Sequence, residues 1–421
     1  MTEPNEVKVE VLLDIINSSA RKAMAEYKNT GHGVPGVDTG AFHPLDFATD
    51  ALALRKAIRL LEGACEQFNT ILAPPQHTVF NFVNNYTWAC TDVAVQSRIA
   101  DILDRHPEGL SVDVLANAVN LDKTKITRVL RNLALKGCFK EVERDVFANT
   151  RLSLVLKSTN NVAFYVRTQR DFPKYAAVLY DSMIDQDFAR SFKVEKTPRT
   201  FALGKEEKIN NNFWEMDDEA RDIFARSMLG YSEVQNSSAA LHYYPWDNVS
   251  SVVDVGSGIG AMSIPLAKMF PHLRITNQDL SETIQLSRNA WEKDAPEALL
   301  DGRVEFVPLD FFEGSPVGGK DVYYLRSIIH DWPDDASRVI LRNIRKVMGP
   351  NSRDHKAPEH TLLNFGSHTV HQLDMVMWLV LNGKERTLNE FKMIGASVGL
   401  VLTQTYDLVG TKLLEFQIAQ D

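Results

Sequence analysis

The chain has 421 residues, 44% hydrophobic and 24% charged, which is ordinary for globular proteins and enough for two or three domains. Its 46 Lys and Arg stand against 55 Asp and Glu, and a net charge of −9 argues against general affinity for nucleic acid or an anionic membrane. Cys65, Cys90 and Cys138 form no CxxC pair, MTEPNEVKVEVLLDI lacks a basic segment leading into an apolar core, and nothing approaches the roughly 20 apolar residues of a membrane span, so a reduced, cytoplasmic setting is expected.

In chain order, residues 1–25 read as a helix whose apolar members include Leu12, Leu13, Ile15 and Ile16, followed by a loop from Lys28 to about Pro44. Residues 45–72 read as one long amphipathic helix, with Leu52, Leu54, Ile58, Leu60 and Leu61 on its apolar side and Pro74-Pro75 at its end. A different unit is expected over 77–160, after a helical extension over 1–76. It holds a helix around 84–105, a short helix from Ser111, a helix stopped by Gly137, and a hairpin of 139–142 with 146–149. That is the order of a winged helix. Its third helix carries Lys123, Lys125, Arg128, Arg131 and Lys136, which suits either DNA or a solvated face, and the acidic balance favours the second.

The remainder, 161–421, opens with a helical stretch to 248 that is rich in Phe213, Trp214, Met216, Phe224, Met228, Tyr243, Tyr244 and Trp246, a composition suited to a flat apolar molecule. From Ser250 short β-branched runs alternate with helices, which predicts a doubly wound, mostly parallel α/β sheet covered on both faces.

The chemistry is concentrated at the ends of these runs. In Val252-Val253-Asp254-Val255-Gly256-Ser257-Gly258-Ile259-Gly260 an apolar strand enters a glycine turn, where a backbone without Cβ atoms can approach a ligand. Asp254 suits a ligand bearing an ammonium or sulfonium group better than a pyrophosphate. The next strand ends in Asp279, placed to accept ribose hydroxyls, and the third in Asp310-Phe311, an acceptor and a ring for adenine. The fourth leads into Arg326-Ser327-Ile328-Ile329-His330-Asp331-Trp332. His330 there is a natural general base, with Asp331 beside it in sequence. Glu385, in Asn382-Gly383-Lys384-Glu385-Arg386-Thr387, would orient the imidazole by accepting its other N–H. The His and carboxylates show no metal-ligand spacing.

DVGSGIG, QDL, LDFF, LRSIIHDWPDD and NGKERT followed by EF, in that order, resemble the plant-type, dimeric small-molecule O-methyltransferases and their fungal relatives over roughly 78–421. The resemblance implies a Rossmann-like catalytic domain binding S-adenosylmethionine and a winged-helix-like domain that makes a homodimer rather than binding DNA. It implies Gly256 and Gly258 at the methionine portion, Asp279 at the ribose, and Asp310 and Phe311 at the adenine. Arg326, where the family has Lys, and Trp332 fall beside the cofactor. His330 becomes the base with Glu385 as its partner, and Phe224, Met228 and Met377 line the acceptor pocket.

One departure stands out. The strand after Gly349-Pro350 is expected no earlier than His360–Phe365, ending in Asn364 and Phe365 where family members carry a second Glu. This keeps a rival reading open, an enzyme of the same fold that uses bound cofactor as a fixed positive charge for dehydration or pericyclic rearrangement. A winged-helix DNA regulator is the third reading.

Overall fold

The structure is a computed structural model and describes residues 3–204, 218–235, 238–350, 352–357, 368–409 and 411–420. Phe213, Trp214, Met216 and the segment 358–367, with its expected strand, lie outside these residues. The chain forms two compact units, Met1–Asp171 with Glu215–Val234, and Phe172–Trp214 with Gln235–Asp421.

In the first unit the helices Glu3–Asn29 and Leu52–Leu72 pack together around Ala23, Leu54 and Ala57. The expected helix over 45–72 therefore starts later. Pro44–Asp46 is a separate 3₁₀ turn closed by a capping box, in which His43 accepts from the Leu45 N–H and the Asp46 carboxylate accepts from the His43 N–H. The helix expected around 84–105 is likewise two, Thr87–Gln96 and Ile99–Leu103, broken at Arg98 with φ 51°. The break lets Ala94 and Val95 on one piece and Ile99, Ala100 and Leu103 on the other reach a single core. That core also takes Val112 and Leu115 from Val112–Val119, and Ile126, Leu130 and Leu133 from Lys123–Ala134. A small antiparallel sheet completes the winged-helix order: β1 (Leu110–Ser111), β2 (Lys140–Glu143) and β3 (Val146–Ala148), arranged β1-β3-β2. Helices Asn161–Thr168 and Asp218–Val234 pair closely, and Gly230 makes this feasible, since a Cβ there would lie 2.5 Å from the Asn161 carbonyl oxygen.

The second unit holds a seven-stranded sheet built from β4 (Ser251–Val255), β5 (Arg274–Asp279), β6 (Val304–Pro308), β7 (Val322–Arg326), β8 (Arg353–Ala357), β9 (Leu400–Asp407) and β10 (Lys412–Ile418). Their order is β6-β5-β4-β7-β8-β10-β9, parallel through β8, with β10 antiparallel to both neighbours. Alternation along the strands divides the core. Val252, Val322 and Tyr324 pack with Trp246 and Trp291 on one face, while Val253, Val255, Tyr323 and Leu325 pack with Ile340, Ile344 and Phe391 on the other. The order reverses on either side of β4, so the crevice beyond its carboxyl end is the topological switch point.

A strand after Gly349-Pro350 comes earlier than expected, as β8 at 353–357, while 360–365 lies outside the described residues. β8 pairs with β7 from Arg353 opposite Val322 to Ala357 opposite Arg326, and with β10 on its other edge. Its sequence, RDHKA, offers no apolar run to read. Pairing on both edges, with the Arg353 guanidinium donating to the Tyr244 hydroxyl (3.1 Å), outweighs the weak strand propensity. No helix among the described residues is long and apolar enough to cross a membrane.

Candidate active site

The glycine turn begins where β4 ends. The Gly256 and Ser257 N–H groups both donate to the Gln278 carbonyl (2.8 and 3.1 Å), which bends the chain out of the sheet. Gly256 and Gly258 have φ of +74° and +54°, and at Gly258 a Cβ would meet nothing within 4 Å, leaving backbone exposed to a ligand. The Gly258 N–H donates to Asp279 (2.9 Å), whose carboxylate also accepts from the Leu280 N–H and the Thr283 hydroxyl (2.8 and 2.7 Å). Turn and carboxylate are thus one rigid piece.

Asp254 is buried beneath this turn, and burial raises its carboxyl to about 6 against a hydrogen bond from Ser263 and the positive charge of Arg326. Tyr324, its cross-strand neighbour, is also buried, and its hydroxyl has no hydrogen-bond partner among the described residues. Asp310 accepts from the Phe312 N–H (2.9 Å), fixing the bend after β6. The Phe311 ring meets Trp332 edge-on at 6.2 Å, and Phe312 meets it at 4.7 Å. A buried carboxyl, an orphaned hydroxyl and an open glycine cradle fit a ligand with a cationic end and a nucleoside end, as S-adenosylmethionine has.

Between β7 and the helix Asp334–Arg345 the chain makes a short 3₁₀ turn, Ile329–Asp331, after Ser327 in the left-handed region (φ 53°). A non-glycine residue there is a local cost of the kind found at functional sites. His330 Nδ1 lies 2.5 Å from Glu385 Oε1. An ionised carboxylate only accepts, so Nδ1 carries the proton and Nε2 keeps its lone pair. The Glu385 side chain is 1% exposed and that of His330 13%, so the pair is sheltered from screening. Asp331 does face the ring, with Oδ1 3.3 Å from Nε2. Burial raises the Asp331 carboxyl to about 6, with Glu385 adding to the rise and His330 opposing it.

That rise is a stability cost incurred by ionising Asp331, absent below the ordinary carboxylate range near pH 4 and complete above pH ~6. Asp331→Asn is therefore expected to melt higher than the parent above pH ~6, the gap closing as pH falls toward ~4. Calorimetry across that range checks it, and a pH-independent gap would contradict the assignment.

Several supporting residues carry no signal of their own in the sequence. Arg386 is wholly buried, and its guanidinium donates to the carbonyls of Ile329 (2.7 Å) and Trp332 (2.7 Å) and to Asp334 Oδ1 (3.0 and 2.8 Å). The Lys384 N–H donates to the His330 carbonyl (2.9 Å), and Asp374 accepts from the Glu385 N–H (2.9 Å). Met377 is nearly buried on His368–Leu381 and its carbonyl accepts from the Gly383 N–H (3.3 Å). Only the NGKERT run marks this region in the sequence; the clamp itself is a tertiary fact. Phe224 and Met228 stand on Asp218–Val234 in the first unit, each more than a third exposed there.

The O-methyltransferase domain family matches residues 197–400. The chain is 32% identical to 3-O-methyltransferase 2 of Phanerochaete chrysosporium, over 98% of each chain. It is 28% identical to O-methyltransferase gedA of Aspergillus terreus, over 94% of this chain and 93% of that one. Among solved structures, mitomycin 7-O-methyltransferase MmcR superposes with a TM-score of 0.69 at 25% identity, covering 82% of this chain and 98% of that one. LepI in complex with S-adenosylmethionine, the fold of a pericyclic reaction enzyme, reaches 0.72 at 18% identity over 86% and 94%. With end-to-end similarity to a named O-methyltransferase, and a glycine turn and strand-end carboxylates that fit its cofactor, the chain belongs to the O-methyltransferase family and is an S-adenosylmethionine-dependent enzyme.

Proposed function

We propose that the enzyme methylates a phenolic or enolic hydroxyl of a small secondary metabolite, with His330 as general base. The observation that carries this is the His330–Glu385 contact, which commits Nδ1–H to the carboxylate and leaves Nε2, beside Asp331, as the nitrogen that can take a proton. When bound, S-adenosylmethionine supplies an electrophilic methyl on a sulfonium. The chain's own residues do the rest. Asp254 and Arg326 would hold the amino-acid end, Asp279 the ribose, and Asp310 with Phe311 and Trp332 the adenine. Nε2 takes the acceptor's hydroxyl proton, and the resulting imidazolium lies between Glu385 at Nδ1 and Asp331 at Nε2, which stabilises it. Positioning and exclusion of water supply much of the remaining acceleration. Met377 is proposed for the apolar acceptor wall.

A phenol suits this base because its pKa near 10 lets an imidazole compete for the proton, which an aliphatic alcohol does not allow. Turnover of a panel of phenols and enols beside saturated alcohol analogues tests it. Methylation of the former alone is expected, and equal methylation of the alcohols would overturn it.

The same reading takes the enzyme as a homodimer. Supporting it, helix Pro75–Val83 buries none of its residues, and Phe80, Phe82 and Val83 are 62, 71 and 72% exposed, with Tyr86 and Trp88 more than half exposed just beyond. Contiguous apolar surface of this kind marks an interface. Phe80→Glu with Phe82→Glu is expected to leave a monomer in analytical ultracentrifugation where the parent sediments as a dimer; a dimeric variant would place the interface elsewhere. The DNA reading loses support on the basic helix, where Lys123 pairs with Asp113 and Arg131 with Glu141 and Asp145.

A further inference from the structure

Asn382 stands directly after helix His368–Leu381 with φ 54°, and it is buried. Its left-handed turn sends Gly383 flat against the backbone of the catalytic turn, where a Cβ on Gly383 would lie 2.1 Å from the His330 carbonyl oxygen. Lys384 then donates to that carbonyl, and Glu385 reaches the ring. What Asn382 itself holds lies far away in sequence. Its amide nitrogen donates to the carbonyls of Lys193 (2.7 Å) and Lys196 (3.1 Å).

The anchor is stiff. Thr197 and Thr200 close a capping box at the start of Pro198–Leu203, the Thr200 hydroxyl donates to the Glu195 carbonyl (3.0 Å), and the Lys196 ammonium sits 4.7 Å over the Phe188 ring. The two carbonyls are therefore fixed acceptors, and both amide protons of Asn382 are committed to them.

We infer that Asn382 is a positioning residue for methyl transfer: by tying the 382–386 turn to the 193–196 turn, its amide sets the approach of Glu385 to His330. This rests on the reading of His330 as base. Without the amide, the turn keeps its bonds to its own helix and to the catalytic turn but loses its tie to the 193–196 turn, and the approach of the carboxylate to Nδ1 loosens. Misplacement of a catalytic group by as little as an ångström costs rate steeply.

Two variants of the full-length enzyme test this. Asn382→Gly keeps the left-handed backbone without strain and removes only the amide. Asn382→Asp keeps shape and left-handed tolerance, but its carboxylate cannot donate to two carbonyls. Both are expected to lower kcat about tenfold, the aspartate at least as much as the glycine, with S-adenosylmethionine affinity unchanged. In protein labelled with 15N-histidine, the downfield proton resonance of His330 Nδ1–H held by Glu385 is expected to vanish or move upfield in both. A residue that merely stabilises the fold would lower the melting temperature while kcat and that resonance stayed as in the parent, and this result would overturn the inference. The resonance decides it without turnover, whereas His330→Ala assayed in parallel judges the base reading on its own.

Discussion

His330→Ala is expected to bind S-adenosylmethionine as the parent does and to lose methyl transfer by about 10²–10⁴-fold. The cofactor half of this expectation follows from separation within the unit: the glycine turn and Asp279 hold one another through the Gly258 N–H, with no contribution from the imidazole. The rate half follows from the ring's surroundings. Nδ1 is committed to Glu385 and the second nitrogen faces Asp331, so an alanine removes both the proton acceptor and the ring on which the two carboxylates converge. Isothermal titration with the cofactor and single-turnover kinetics with a phenol separate the halves. Turnover within a fewfold of the parent would remove His330 from the chemistry.

Arg386→Met is expected to cost about 3 kcal/mol of stability, because truncating a buried, hydrogen-bonded charge leaves its partners unsatisfied. The carbonyls of Ile329 and Trp332 would lose their guanidinium donor and Asp334 its closest cation, along the stretch that runs from the turn carrying His330 into the helix Asp334–Arg345. Methionine fills much of the space, so the loss reports polar satisfaction rather than a cavity. Arg386→Lys is expected to recover little, since one ammonium cannot span two carbonyls and a carboxylate in a planar fork. Melting temperatures of the three proteins check this. Equal stability of Arg386→Met and the parent would show that the turn holds itself.

What was legible in the sequence follows from where local chemistry and tertiary structure agree. The strand Val252–Val255 is apolar because both faces are buried, and glycines follow because the turn needs positive φ, so both could be read directly. His330 and Glu385 were legible as an acid–base pair only through spacing and resemblance, 55 residues apart. β8 was not legible, because RDHKA owes its conformation to β7 and β10 rather than to its own pattern. The helix boundaries at Leu52 and Arg98 were missed because an unusual histidine cap and a left-handed arginine interrupt otherwise continuous periodicity. Arg386, Asp374 and Asn382 carry no signal of their own in the sequence, because the carbonyls and the Glu385 N–H they hold are brought to them only by the fold.

The sequence reading of a missing second Glu rested on placing the strand at 360–365. β8 ends at Ala357, and Glu359, Asn364 and Phe365 all follow it outside the described residues.

The measurement that tests the central claim most directly is the stoichiometry of the reaction by mass spectrometry, with S-adenosylmethionine and a turned-over phenol or enol. One adenosylhomocysteine released for each acceptor that gains one methyl is the predicted result. An acceptor converted to a product of altered skeleton, with no adenosylhomocysteine formed, would contradict the account and make the bound cofactor a fixed charge rather than a methyl donor.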